Sequence, residues 1–160
     1  EYFFTHFLNN IVPSHTSGPS VEELVIEVGE EIHKGLMECE ISQSLFELRE
    51  NTPDLKWLVV SGGVESELRD IFTKRSLLDL FDAGVYGGPM TKDEILNSLI
   101  KENKLEFPAL FLGDSMYDHK AANRANIDFL FVSEWSDFKG WKHYCKKNKI
   151  VSIKSLYSLI

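Results

Sequence analysis

Cysteine is scarce in this chain: Cys39 and Cys145 are the only two in 160 residues, far apart and without Cys-x-x-Cys spacing. That excludes a disulfide framework and a zinc-finger pattern, and two buried thiols in a reducing cytoplasm is the economical expectation. Positive charge is in deficit as well. Lys and Arg number 17 against 25 Asp and Glu, a net charge of -8, so no basic stripe is present to hold a nucleic acid. The densest basic patch, Lys142–Lys149, reads as the solvated end of a helix and the turn after it. No apolar run has the length of a membrane span and none has the pattern of a signal peptide, so the expectation is a cytoplasmic protein with no nucleic-acid and no membrane partner. Repeats and low-complexity segments are missing. None of the five histidines stands in the Ser or Cys context that acyl transfer requires; His33, His119 and His143 fall in helical stretches and read as surface or partly buried.

What is present is enough apolar material, 43% of the residues, to build one real core with a small appendage. Glu1–Val12 is aromatic-rich, and Pro13–Pro19 is breaker chemistry that reads as a loop. Ser20 and Glu23 form a Ser-x-x-Glu capping box ahead of a helix over Val21–Leu36, with Leu24, Val28, Ile32 and Leu36 on one face. A second helix is expected from Ser42 to Glu50. Beyond residue 56 the texture changes to short apolar runs separated by helical stretches. Strands are predicted over Trp57–Val60, Phe81–Tyr86, Ala109–Leu112, Phe129–Val132 and Ile150–Ile153. Helices are predicted over Glu65–Phe72, Ser76–Leu80, Lys92–Asn103 (capped by Thr91), His119–Ala125, Trp141–Lys147 and Ser155–Ile160. The aromatics of Trp135–Trp141 read as core packing. Alternating strands and helices define an α/β fold, a Rossmann-like parallel sheet flanked by helices. The division is a helical segment over residues 1–52 and an α/β core over residues 53–160.

Three strand ends carry polar groups suited to one task. Ser61 follows the apolar run Trp57–Val60, and Gly62 and Gly63 let backbone N–H groups approach an anion. Lys92 opens a helix after a Gly-Gly-Pro-Met-Thr loop, where a cation can reach a bound phosphate. Asp114 and Asp118 follow the run Ala109–Leu112 and Gly113, at the carboxyl end of a strand where open α/β sheets place ligands. Two nearby carboxylates repel and call for a cation or a shared proton, and hard oxygen ligands suit Mg²⁺. Each feature has a plainer reading: a strand-to-helix turn at Ser61, an exposed helix-start lysine at Lys92, and a helix N-cap at Asp114 or Ser115. Their order and spacing together favour a phosphate-and-magnesium site.

That ordered set resembles the haloacid dehalogenase (HAD) superfamily of phosphohydrolases. The second family motif, a Ser after a hydrophobic strand, is matched by Ser61; the third, a Lys, by Lys92; the fourth, Gly-Asp-x-x-x-Asp, by Gly113, Asp114 and Asp118. The Ala-Ala-Asn-Arg-Ala-Asn run at 121–126 is similar to the helix that follows the fourth motif in the phosphoglycolate-phosphatase-like capped branch. The resemblance implies that Ser61, Gly62 and Lys92 bind the phosphoryl group, with Ser61 and Lys92 catalytic, and that Asp114 and Asp118 hold Mg²⁺. It further implies that residues 1–52 belong to a helical cap, and that the partner is a small phosphorylated metabolite, such as a sugar phosphate, hydrolysed through an aspartyl-phosphate.

The first family motif, Asp-x-Asp at the end of a central strand, is not matched: no Asp-x-Asp occurs in the 160 residues, so the chain supplies no nucleophile. A sheet without that strand would leave two rows of backbone groups unpaired. The expectation is therefore a longer protein with the strand upstream of Glu1, or a domain in which another segment, Glu1–Val12 being the one strand-competent candidate, fills the slot. Direct pairing of Trp57–Val60 with Ala109–Leu112 at ~4.8 Å would rule out a missing central strand. Two functions stay open: a Mg²⁺-dependent phosphatase, active when completed by the first motif, and a catalytically inactive phosphate- or metal-binding regulatory module. A response-regulator receiver would place its acidic pair before its lysine, the reverse of the order here.

Overall fold

The computed structural model describes residues 18–160, so the Glu1–Val12 expectation lies outside the described residues. Contacts divide the chain into two compact units, residues 1–40 and 41–160. In the first, α1 spans Val21–Glu38. The capping box forms as expected: the Ser20 hydroxyl accepts from the Glu23 amide and the Glu23 carboxylate accepts from the Ser20 amide, at 3.2 and 2.7 Å. Leu24 and Leu36 are half-buried, whereas Val28 and Ile32 are exposed. Cys39, expected to be buried, is exposed at the end of this helix, while Cys145 is buried.

In the second unit α2 covers Leu45–Glu50 and packs on a short 3₁₀ turn at Leu156–Leu159. This helix, counted with the 1–52 segment in the sequence, thus has its partner at the far end of the chain. The order then runs β1 (Val59–Val64), α3 (Glu65–Lys74), β2 (Val85–Gly88), α4 (Lys92–Lys101), β3 (Leu110–Gly113), α5 (Met116–Arg124), β4 (Asp128–Val132), α6 (Trp141–Asn148) and β5 (Val151–Ile153). All pairings are parallel: β1 with β2, and β3–β4–β5 in that order. The fold is α/β with parallel sheets flanked by helices.

Among the described residues β1 and β3 are not paired with each other, and no strand lies between them. They nevertheless serve one core. Val60 of β1, with Ala109 and Phe111 beside and within β3, packs against Leu96 of α4, Ala121 and Ala122 of α5, and Ala125 and Ile127. Ala121 and Ala122 are fully buried; the alanine run is what lets α5 lie close to α4 and the strands, since a larger side chain would have no room. On the other face of β3, Leu110 and Leu112 remain exposed.

Several boundaries differ from the sequence expectation for identifiable reasons. β1 continues through Ser61-Gly62-Gly63 to Val64, with a register irregularity between Val60 and Val64. Glycines carry no alternation pattern to read, and Gly87 of β2 lies so close to the Gly63 carbonyl that a Cβ there would clash. β2 starts at Val85 instead of Phe81, because Leu78–Leu80 forms a 3₁₀ turn and Ala83 and Gly84 complete a tight bend. Ser155–Ile160, read as a helix, is a 3₁₀ turn. Trp141 stacks on Phe131 with ring centroids 5.5 Å apart, and Phe138 meets Tyr144 edge-on, as expected of packing aromatics. Trp135, expected in the core with them, is 61% exposed.

Candidate functional site

Of the three sequence features, Asp114 follows the carboxyl end of β3 and Lys92 opens α4, whereas Ser61, expected at a strand end, lies within β1 because that strand continues to Val64. α5 begins where β3 ends, and its N-cap is Ser115. The Asp118 amide donates to the Ser115 hydroxyl at 3.1 Å. In return the Asp118 Oδ2 accepts from the Ser115 amide at 3.1 Å, the Ser115 hydroxyl at 2.7 Å and the Asp114 amide at 3.3 Å. The N-cap reading and the functional reading of this segment therefore hold together: Asp118 is the carboxylate of a capping box. Gly113 makes it possible, since a Cβ there would stand 2.5 Å from the Asp118 Cβ.

The second Asp118 oxygen takes the lysine. Lys92 Nζ donates to Asp118 Oδ1 at 2.5 Å, and the side chains are 17% and 3% exposed. Lys92 can reach because α4 starts on its own capping box, in which the Thr91 hydroxyl accepts from the Glu94 amide and the Glu94 carboxylate accepts from the Thr91 amide. The amino end of α4 is also tied to α5 by an ion pair in which one Arg124 nitrogen, Nη1, donates to both Asp93 carboxylate oxygens at 3.0 and 2.9 Å. Burial pushes the Asp118 carboxyl up, but hydrogen bonds from Lys92 and Ser115 and the lysine's charge outweigh it and hold the pKa below the usual aspartate value. Asp118 is thus ionised and engaged at both oxygens.

Asp114 behaves in the opposite sense. It is exposed, yet the protein crowding its carboxyl and the charge of Asp118 raise its pKa. A carboxylate made less acidic by its surroundings, facing outward, is one that a cation would stabilise. Among the described residues no group of three or more His, Cys, Asp or Glu side chains could cage a metal. Asp114 with its neighbour Asp118 offers one or two carboxylates, the number that Mg²⁺, which keeps several waters, would need besides substrate phosphate.

Ser61 is half-buried on β1, and its hydroxyl accepts from the Gly63 amide at 3.1 Å. Gly62 is exposed, with open space where a Cβ would be. A cavity of about 480 Å³ brings Gly62 together with Lys92, Thr91, Met90 and Tyr117. Lys92 therefore has two neighbours, the Asp118 carboxylate and an open space bordered by glycine backbone. Asp114 lines a different cavity, and Ser61 lines neither. The sequence reading missed Thr91, Met90 and Tyr117 as cavity residues; only their places next to Lys92 and Asp118 could have signalled them.

The sequence profile of the haloacid dehalogenase-like hydrolase family matches residues 5–132. The chain belongs to the haloacid dehalogenase-like hydrolases. Solved structures agree at the level of fold. A haloacid dehalogenase-like family hydrolase from Streptococcus pneumoniae superposes with a TM-score of 0.68 at 20% identity, over 98% of this chain and 86% of that one. A HAD-superfamily hydrolase from Ehrlichia chaffeensis gives 0.53 at 18% identity, over 99% and 83%. No curated protein matches the sequence. No described helix is long and apolar enough to cross a membrane.

Proposed function

We propose that this protein is a Mg²⁺-dependent phosphomonoester hydrolase of the cytoplasm, acting on a small phosphorylated metabolite, with its nucleophilic aspartate carried on a strand that fills the place between β1 and β3. The observation that carries this reading is the Lys92–Asp118 pair, buried beside an exposed Asp114 at the carboxyl end of β3. Phosphoryl transfer asks a protein for positioning and charge neutralisation more than for covalent chemistry. Lys92, held by Asp118, presents a fixed cation to the cavity that Gly62 borders. Ser61 offers a hydroxyl, and Gly62 its backbone, to phosphoryl oxygens. Asp114 would bind Mg²⁺ directly, while Asp118 acts by orienting Lys92 and the Asp114–Ser115 backbone. Bound there, Mg²⁺ supplies charge neutralisation on the phosphoryl oxygens. The residues of 1–52 would contribute a cap.

The test is hydrolysis of p-nitrophenyl phosphate by the intact protein with and without Mg²⁺. Asp114→Asn should remove the Mg²⁺-dependent turnover, a loss on the order of a hundredfold or more; unchanged turnover in that variant overturns the reading. A second reading, a phosphate- or metal-binding regulatory module without turnover, is favoured by the lack of any Asp-x-Asp in these 160 residues. Phosphate binding by the intact protein, with no hydrolysis at any Mg²⁺ concentration, would select it.

A further inference from the structure

The cavity that Asp114 lines, of about 270 Å³, lies at the carboxyl ends of β3 and β4. Leu112, Leu156 and the exposed Trp135 give it apolar walls, and its polar groups come from Ser42, Asp114 and Glu134. Small-molecule sites have this make-up, mostly apolar with a few convergent polar groups. None of its lining side chains is basic. The segment that presents Glu134 and Trp135 is pinned at both ends. The Ser133 and Glu134 amides donate to the carbonyls of Ile153 and Lys154 at 3.0 and 2.8 Å. The Ser136 hydroxyl donates to the Asp114 carbonyl at 2.5 Å. Glu134 and Trp135 are therefore fixed relative to Asp114, which joins the cavity to the site already described.

We propose that this cavity receives the alcohol portion of the phosphomonoester and selects an uncharged polyol, with Glu134 and Trp135 as specificity-determining residues; the proposal rests on the phosphatase reading above. Polyol hydroxyls can donate to the Glu134 carboxylate, and the carbon-bound face of a polyol can lie on the Trp135 ring. A substrate with a second anionic group on its alcohol portion would bring like charge against Glu134, an arrangement that disfavours binding. Once a cation neutralises Asp114, Glu134 is the carboxylate left to discriminate.

Competition of inorganic phosphate, glycerol 1-phosphate and 3-phosphoglycerate against p-nitrophenyl phosphate hydrolysis by the intact protein in Mg²⁺, read as initial rates, tests this. The two esters are of similar size, and one adds a carboxylate. Glycerol 1-phosphate should bind about tenfold more tightly or better. Glu134→Gln should shrink that ratio and Glu134→Lys should abolish or invert it; Glu134 is exposed, so neither substitution disturbs packing. Equal affinities in the unmodified protein, or a ratio that survives Glu134→Lys, overturns the proposal while turnover of p-nitrophenyl phosphate leaves the parent reading standing. If p-nitrophenyl phosphate is not hydrolysed, the parent reading falls and takes this one with it.

Discussion

Asp118 and Asp114 sit in one turn between β3 and α5, yet the two ends of that turn are built on opposite terms. Asp118 is 2% exposed, accepts from one side-chain cation, one hydroxyl and two amides, and is held more acidic than usual. Asp114 is exposed and made less acidic by burial of its carboxyl and by Asp118 itself. The fold uses the first carboxylate, and the second is the one proposed above to take a cation. A buried charge must be paired and hydrogen-bonded to be tolerated, so Asp118, Ser115 and Lys92 form one structural unit that also aims a lysine. Asp114 has no such duty.

The strongest test of that contrast is Asp118→Ala. It removes a capping-box carboxylate and leaves the Lys92 ammonium without its buried partner, which should cost about 3–5 kcal/mol. The midpoint and slope of urea unfolding read this. A loss below about 1 kcal/mol would mean that the pair is not structural. Lys92→Met, which strips the charge but keeps an aliphatic stem, should recover part of the loss when combined with Asp118→Ala, because the uncompensated charge is then gone.

The tightness around this unit has a second source, the alanines of α5. Ala121 and Ala122 are fully buried in the cluster that Leu96, Ile127, Val60 and Phe111 complete. Ala122→Leu should destabilise by about 1–3 kcal/mol through overpacking, and thermal unfolding will show it. A neutral result would mean that α5 has slack, and with it the placement of Asp118.

Much of this was legible in the sequence because the physics was local. Short apolar runs marked the strands. Ser20 with Glu23 and Thr91 before Lys92 marked helix starts, and Gly113, Asp114 and Ser115 marked the turn that caps α5. What escaped was tertiary. Lys92 and Asp118 meet across 26 positions, and nothing local shows that the helix-start lysine is turned inward. The path of β1 through its glycines depends on how closely Gly87 approaches. Trp135 and Trp141 look alike in sequence, and only the stacking of Trp141 on Phe131 separates a packing aromatic from an exposed one. Among the described residues no strand lies between β1 and β3; the sequence expects one there because the first family motif is unmatched.

Asp82 offers an intermediate between the two carboxylates of the turn. Its Oδ1 accepts from the Trp57 amide at 2.8 Å and its other oxygen pairs with Arg49 at 3.2 Å, but its side chain is 43% exposed. The Trp57 hydrogen bond is the largest influence on its pKa, with the Arg49 charge assisting against desolvation, and the value lies below the ordinary 3.8. A depressed pKa in the fold contributes stability that is present above the unfolded value and is lost as pH falls through the folded one. Asp82→Asn should therefore cost less than about 1 kcal/mol at neutral pH, and the difference from the unmodified protein should vanish on acidification below pH 3.8. Urea unfolding at a series of pH values measures it; a difference that grows toward acid would reverse the assignment.

The smallest change in stability should come from Asp114→Asn. The folded environment raises this carboxyl's pKa, so its ionised form gains nothing from folding, and removing the charge should move the unfolding free energy by no more than about 0.5 kcal/mol. Under the proposed function Mg²⁺ should raise the melting temperature of the unmodified protein, and the same substitution should abolish that rise, since a ligand that binds only the folded state stabilises it in proportion to its occupancy. Asp118→Asn supplies the contrast, losing stability in chelator and in Mg²⁺ alike. If Asp114→Asn instead destabilised the metal-free protein by as much as Asp118→Asn, both ends of the turn would be structural, and the site would have no carboxylate left over for a cation.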